Sequence, residues 1–239
     1  MLRLLSIPNV VDQLGALWRL EGEARMLLVA AGVLLCLIIG YLLGSLNSAI
    51  IISHLVLRRD IRAHGSRNAG TTNMLRTYGK KYAVMTLALD MLKGAAATAL
   101  GYLLLSLHGA AIAGFFCVLG HMFPIYYRFK GGKGVATTGM VALMLDPWTF
   151  LVMLLVFVTL LAMTRFVSLA SVMCAFLYPL LLNAFIPPVM PGKGTAVLMG
   201  ILTMAFVVFM HRANIKRLLE GTESKLSFGS EKQDGEQEK

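Results

Sequence analysis

Charge is scarce in this chain: Asp, Glu, Lys and Arg make up 14% of 239 residues, where about 25% is usual in a soluble domain. Carboxylates are the scarcer sign, 12 against 22 lysines and arginines, which argues against a site built around metal ions for phosphoryl transfer. The three cysteines, Cys36, Cys117 and Cys174, each stand alone in an apolar run. Neither a disulfide frame nor a thiolate metal site is expected from them. Asp12, Gln13, Arg19 and Glu21 interrupt the first 25 residues, so no cleavable signal is read there.

Apolar residues fill the space that charge leaves. They make up 57% of the chain, with 23 glycines besides. A soluble domain of 26.0 kDa has no core large enough to hide them. Roughly 136 apolar residues suit about six or seven spanning helices of about 20 residues each. The expected fold class is an all-α integral membrane protein. Its net charge of +10 then reads as basic loops facing anionic lipid rather than nucleic acid.

The apolar runs are Leu27 to Gly44, extended by Ile50 to Leu57, then Tyr82 to Leu107, Ala110 to Tyr127, Val135 to Leu145, Trp148 to Met163, Val167 to Ile186 and Thr195 to Met210. At about 1.5 Å per residue the Val135–Leu145 stretch is too short to cross unaided, so it is expected to be shortened or half-inserted. The loops at 58–81, 128–133, 165 and 211–225 carry fifteen Lys and Arg, and the opposite loops carry only Lys193. That asymmetry predicts seven crossings, the N-terminus outside and the basic loops in the cytoplasm. Residues 1–26 read as an extension with a short interfacial helix near Leu14, Leu17, Trp18 and Leu20. Residues 27–220 read as one membrane domain, and 221–239 as a disordered cytoplasmic tail.

Four polar segments fall on the basic side. Gly65-Ser66-Arg67-Asn68-Ala69-Gly70-Thr71-Thr72-Asn73, followed by Arg76, is dense in hydrogen-bond donors and suits an anion; a polar turn with a helix cap is the equal alternative. Lys130-Gly131-Gly132-Lys133-Gly134 opens the short helix and offers unpaired N–H groups. A snorkelling basic turn competes with that reading, and the truncated helix behind it favours a phosphate cradle. Ser168 and Ser171 share a helix face at a helix start, where serines also serve as plain caps. His211 and Asn214 share one at the end of the last run. Asp90 and Lys93, at i and i+3 within an apolar helix, are expected to form a local ion pair or to pair with a basic loop.

In this order the segments resemble the PlsY family of bacterial glycerol-3-phosphate acyltransferases. The likeness runs through Gly44-Ser45, the Gly65–Asn73 motif with Arg76, His121-Met122-Phe123-Pro124, Phe129 to Thr137, the Ser168/Ser171 pair and His211-x-x-Asn214. The stretch Leu89-Asp90-Met91-Leu92-Lys93-Gly94 adds to it. The resemblance implies acyl transfer from acyl phosphate to the 1-hydroxyl of glycerol 3-phosphate, without a cofactor or a protein acyl intermediate. It implies Ser66, Arg76, Lys133, His211 and Asn214 as catalytic residues. Asn68, Thr72, Asn73, Lys130, Gly131, Gly132, Gly134, Ser168 and Ser171 would bind substrate. Membrane lipid, and transient contact with the soluble enzyme that makes acyl phosphate, follow from the same likeness. Arg67 departs from the family pattern, which has glycine there; if the position needs φ > 0, arginine carries a cost. An organic-anion transporter and a noncatalytic lipid-binding scaffold are the competing classes. Transporter sites lie near the midplane while these segments gather at one interface, and a basic scaffold face would not need glycines beside Lys133.

Overall fold

The computed structural model describes residues 8–226, which form ten α-helices with no strand among the described residues. Helix α1 (Val10–Leu17) begins where the Asn9 side chain accepts from the Asp12 backbone N–H. Helix α2 (Gly22–Ser45) stops at Leu46, and the Asn47 side chain caps α3 (Ser48–Leu55) by accepting from the Ile50 N–H at 3.1 Å. The polar interruption inside the first apolar run is therefore a helix restart. Residues 58–81, expected as loop, hold a short 3-10 turn at Ile61–Ala63 and α4 (Thr71–Tyr78).

Helix α5 (Lys80–Met122) has 43 residues, enough for about 64 Å of straight helix. It does not run straight: Leu105 and Ser106 leave helical geometry, Ser106 with φ +51°. The chain turns back there, so Lys93 of the first arm meets Cys117 and His121 of the second. The two apolar runs read from the sequence are the arms of this hairpin. Gly101 and Gly109 let the arms touch near the tip, since a Cβ on either would lie within about 2.2 Å of the other's carbonyl oxygen. Helix α1 packs Val11 and Asn9 against that tip, at the end away from the glycine loop.

Helix α6 (Val135–Leu145) has the 11 residues expected of it and ends at Asp146, whose carboxylate caps α7 (Pro147–Thr164). Helices α8 (Val167–Phe185) and α9 (Lys193–Met210) follow, and α10 (Arg212–Leu219) lies beyond the last apolar run. Among the described residues, five helical runs are long and apolar enough to cross a membrane: Gly22–Leu55, Lys80–Tyr127, Pro147–Thr164, Val167–Phe185 and Lys193–Met210. Leu151, Leu154, Leu155 and Val158 of α7 are exposed, as suits a surface that meets hydrocarbon.

The centre of the bundle is a seam of small residues. Gly40 and Gly44 of α2 meet the backbone of Ala113 and Cys117 in the second arm of α5, and Gly120 meets the Tyr41 carbonyl. Lipid offers no hydrophobic drive between helices, so close backbone approach supplies the packing energy. One buried ionic cluster crosses this seam. Asp90 Oδ1 lies 2.8 Å from Lys93 Nζ and 3.4 Å from His121 Nδ1, and accepts from Ser48 Oγ at 2.9 Å. Lys93 Nζ also donates to the carbonyls of Gly44 and Leu46, at 3.1 and 2.9 Å. The pair expected at i, i+3 thus also closes the C-terminal end of α2.

The tail departs from its expectation. Thr222–Leu226 run over α8 and α10 with Thr222, Ser224 and Lys225 exposed, while Leu226 is buried and donates its N–H to the Arg165 carbonyl at 2.8 Å. Within this segment the Glu223 carboxylate accepts from Ser168, Asn214 and Arg217. Residues 227–239 lie outside those described.

Candidate active site

The glycine loop is built downward from His121. Gly131 and Gly132 donate their N–H groups to the carbonyls of Met122 and His121, each at 3.1 Å. A Cβ on Gly132 would stand 2.1 Å from His121 Nε2 and 2.5 Å from the Ala69 carbonyl oxygen. These two glycines therefore spend their donors on docking, and their lack of a side chain lets the loop sit against the first motif. The N–H groups of Lys133, Gly134 and the first turn of α6 are the donors left for an anion. Gly134 caps α6 at φ +79°, a conformation that favours glycine. Lys130 points its carbonyl at Arg62 and is exposed, outside the cluster the loop forms.

The first motif is folded around Asn73. Its Oδ1 accepts from the Ser66 N–H at 2.9 Å, and its amide donates to the carbonyls of Ile61 and His64. Asn73 is buried and shapes the loop from within. Ser66 is exposed, while Asn68 and Thr72 are half-buried beside the start of α4. Arg67 has φ +58°, so the left-handed geometry anticipated for that position is present. Arg76, on the last turn of α4, donates from Nη2 to the Ser224 carbonyl at 3.1 Å.

The remaining residues close around Lys133. Its ammonium donates to Asn214 Oδ1, and Asn214 Nδ2 donates to Glu223 Oε1 at 2.6 Å. Ser168 Oγ donates to the same carboxylate oxygen at 2.7 Å, and Arg217 Nε to the other at 2.7 Å. Ser171 is buried one turn below and donates to the Val167 carbonyl, so it packs α8 instead of meeting this cluster. Burial pulls the Lys133 ammonium down to about 8; Glu223 opposes that, while Arg217 and Arg76 add to it. Burial also takes His211 down to about 4, with Lys133 beside it reinforcing the shift. The ring is thus neutral near pH 7, with Nδ1 held at 2.8 Å by the Val207 carbonyl, which makes Nε2 the nitrogen with the free lone pair. Burial raises the Glu223 carboxyl, but hydrogen bonds from Asn214, Ser168 and Arg217 outweigh it and leave it below its ordinary value.

All four segments therefore meet at one end of the bundle, and the carboxylate they hold shows the chemistry of the pocket. Guanidinium, hydroxyl and amide donors converge on an anion, with an ammonium beside them. Glu223 and Arg217 were not singled out from the sequence. The available signal was that only three carboxylates, Asp60, Glu220 and Glu223, interrupt the fifteen basic residues of these loops.

A family model described as glycerol-3-phosphate acyltransferase matches residues 34–221. The chain belongs to the glycerol-3-phosphate acyltransferase family. Among relatives of that family, the glycerol-3-phosphate acyltransferase of Bacillus subtilis (strain 168) is 43% identical over 195 residues, covering 81% of this chain and 97% of the relative. That of Thermoanaerobacter pseudethanolicus is 41% identical over 194 residues, covering 81% and 96%. A solved structure of PlsY (YgiH), an integral membrane glycerol 3-phosphate acyltransferase, in its glycerol 3-phosphate form has a TM-score of 0.75 and 36% identity. It covers 82% of this chain and 96% of that one. The lysophosphatidic acid form gives 0.73 and 35%. Membership of this acyltransferase family agrees with the apolar helices: the chain is a multi-pass membrane protein. Helix α1 and the Glu223 segment both lie outside the residues that the acyltransferase family model matches.

Proposed function

We propose that the protein transfers a fatty acyl group from acyl phosphate to the 1-hydroxyl of sn-glycerol 3-phosphate, giving lysophosphatidic acid and inorganic phosphate. The observation that carries this reading is the anion pocket around Lys133, Ser168, Asn214 and Arg217, in a chain of this family. An apolar groove lined by Leu37, Ile38, Tyr41, Leu42, Phe116 and Leu119 lies between α2 and the second arm of α5, and suits the tail of a lipid-soluble donor. The active site faces the cytoplasm of the bacterial inner membrane, in a seven-crossing arrangement with the N-terminus outside. The fifteen-to-one charge asymmetry supports that orientation. Residues 27–220 act as one membrane domain that meets the soluble acyl-phosphate-producing enzyme transiently at this face.

Lys133 and the N–H groups at the start of α6 hold the donor's phosphate and stabilise the charge that grows on it. Ser66, Asn68, Thr72 and Arg76 bind the acceptor, with Asn73 fixing their loop. His211 Nε2 accepts from the acceptor's 1-hydroxyl and aims its oxygen at the donor carbonyl, with Ser168 and Asn214 flanking. The hydroxyl oxygen forms a bond to the acyl carbon, the bond from that carbon to the phosphate oxygen breaks, and the proton passes to the departing phosphate. No acyl-enzyme intermediate or cofactor enters this balance. Ser171 donates to a backbone carbonyl, and Ser168 to a carboxylate that three hydrogen bonds hold below its ordinary value and so leave a weak base, which supports transfer without an acyl-serine.

The test is phosphate release by detergent-purified protein given palmitoyl phosphate and glycerol 3-phosphate, with palmitoyl-CoA as parallel donor. Acceptor-dependent release from the phosphate donor alone, with lysophosphatidic acid formed and lost in Lys133→Ala, is the expected result. Activity with only the CoA donor would overturn the donor assignment. Silence with both from folded protein would return the reading to an anion transporter.

A further inference from the structure

Thr222–Leu226 form a strap that joins three elements of the site. Its first residue donates N–H to the Arg217 carbonyl on α10, and its last donates to Arg165 before α8, both at 2.8 Å. Between them the Ser224 carbonyl accepts from Arg76 of α4. The frame of the strap is thus main-chain bonding that does not involve Glu223. The Glu223 side chain points inward and is 7% exposed, with Ser168, Asn214 and Arg217 as its donors. A carboxylate that merely plugged an anion site would hang on a free segment and depend on that site for its own order. This one hangs on a fixed segment. Lys133, Arg76 and Arg217 outnumber it, so the pocket keeps positive charge for a phosphate with the carboxylate in place.

We propose that Glu223 is a positioning residue of the acyl-transfer site: its carboxylate fixes Ser168, Asn214 and Arg217 in one arrangement and supplies the negative charge that faces Lys133. This inference rests on the acyl-transfer reading above. The charged and titratable groups facing Lys133 are Glu223 from the strap, Arg217 from α10, Arg76 from α4 and His211 at the end of α9. Glu223 alone among them favours the ammonium. Removing its charge makes Lys133 easier to deprotonate, and removing the charge of Arg217 makes it harder.

The experiment measures kcat, KM for glycerol 3-phosphate, and kcat/KM from neutral to alkaline pH. It uses the full chain in detergent with palmitoyl phosphate as donor, comparing wild type with Glu223→Gln, Glu223→Asp and Arg217→Gln. Activity of the wild type tests the underlying reading by itself. For Glu223→Gln, kcat should fall by about tenfold, the scale of one charge-assisted hydrogen bond, and the alkaline fall of kcat/KM should move to lower pH. Glu223→Asp, which keeps the charge, should retain the wild-type alkaline limb despite slower turnover. Arg217→Gln should move that limb to higher pH, and it carries the test if Glu223→Gln fails to fold. Wild-type turnover and an unmoved limb in Glu223→Gln would overturn the inference. Faster turnover or a lower KM for glycerol 3-phosphate in that variant would also overturn it, and would make the strap an inhibitory plug.

Discussion

Arg67 sits at φ +58°, and Arg58, Arg128 and Arg165 turn the chain in the same left-handed region. That conformation costs an ordinary L residue about 1–2 kcal/mol, and glycine would avoid the cost at each corner. The corners lie in the basic loops, and in the proposed orientation a cation there favours the cytoplasmic side at some expense in backbone energy. Arg67→Gly should leave the melting temperature in detergent nearly unchanged, because relief of the left-handed cost is offset by about 0.5–1 kcal/mol of added freedom in the unfolded chain. Arg67→Val should lower stability by roughly 1–2 kcal/mol, since a β-branched residue tolerates this region poorly. At Lys133 the prediction is electrostatic. Burial holds its ammonium near 8, so the cation is present below that pH and is lost as pH rises through it. The kcat/KM for palmitoyl phosphate, which reports the free enzyme, should therefore fall above about pH 8, and a profile flat well into the alkaline range would remove Lys133 as the phosphate's counter-charge.

Among the elements, the α5 hairpin and the cluster of Asp90, Lys93 and His121 set the height at which the glycine loop docks. His121 carries the loop on its backbone carbonyl and presses its ring against Gly132, while Asp90 and Lys93 hold that histidine from below. Asp90→Ala should cost about 3–5 kcal/mol, the penalty for stranding one partner of a buried pair. Adding Lys93→Met should recover part of the loss in a thermal unfolding cycle; equal loss in the single and double variants would make Asp90 a packing residue. The i, i+3 spacing made this pair legible, as apolar run length did for the helices and their breaks. Hydrophobic patterning did not reveal the period-four series Gly32, Cys36, Gly40 and Gly44, because a seam of small residues adds little to an apolar pattern. Nor did it find the role of Gly131 and Gly132, whose type suggested free N–H donors and whose place against His121 makes them docking surfaces. The inward turn of Asn73 was hidden for the same reason, since residue type does not say which way a side chain faces.

For the whole molecule, the largest departure from the sequence reading is the strap. A polar stretch with alternating charge at a chain end has the composition of a solvated tail. What orders Thr222–Leu226 is bonding of its backbone to Arg217, Arg165 and Arg76, residues of distant elements, a tertiary effect that composition does not carry. The convergence of the four polar segments was legible because each lay on the basic side of the charge asymmetry, and loops sharing one end of a bundle have few places to go.

Helix α6 leaves one more result. It shares the Asp146 corner with α7, yet at about 1.5 Å per residue it is up to roughly 10 Å shorter. The glycine loop is accordingly recessed below the level that a full-length helix would reach. On the proposed acyl-phosphate reading, a donor with its acyl chain still among lipid tails presents its phosphate at that depth, and the donor concentration that governs turnover is then a surface density. Diluting palmitoyl phosphate with inert detergent or lipid at constant bulk concentration should slow the reaction in proportion to its falling mole fraction, whereas a rate that followed bulk concentration alone would mean that the donor arrives through water.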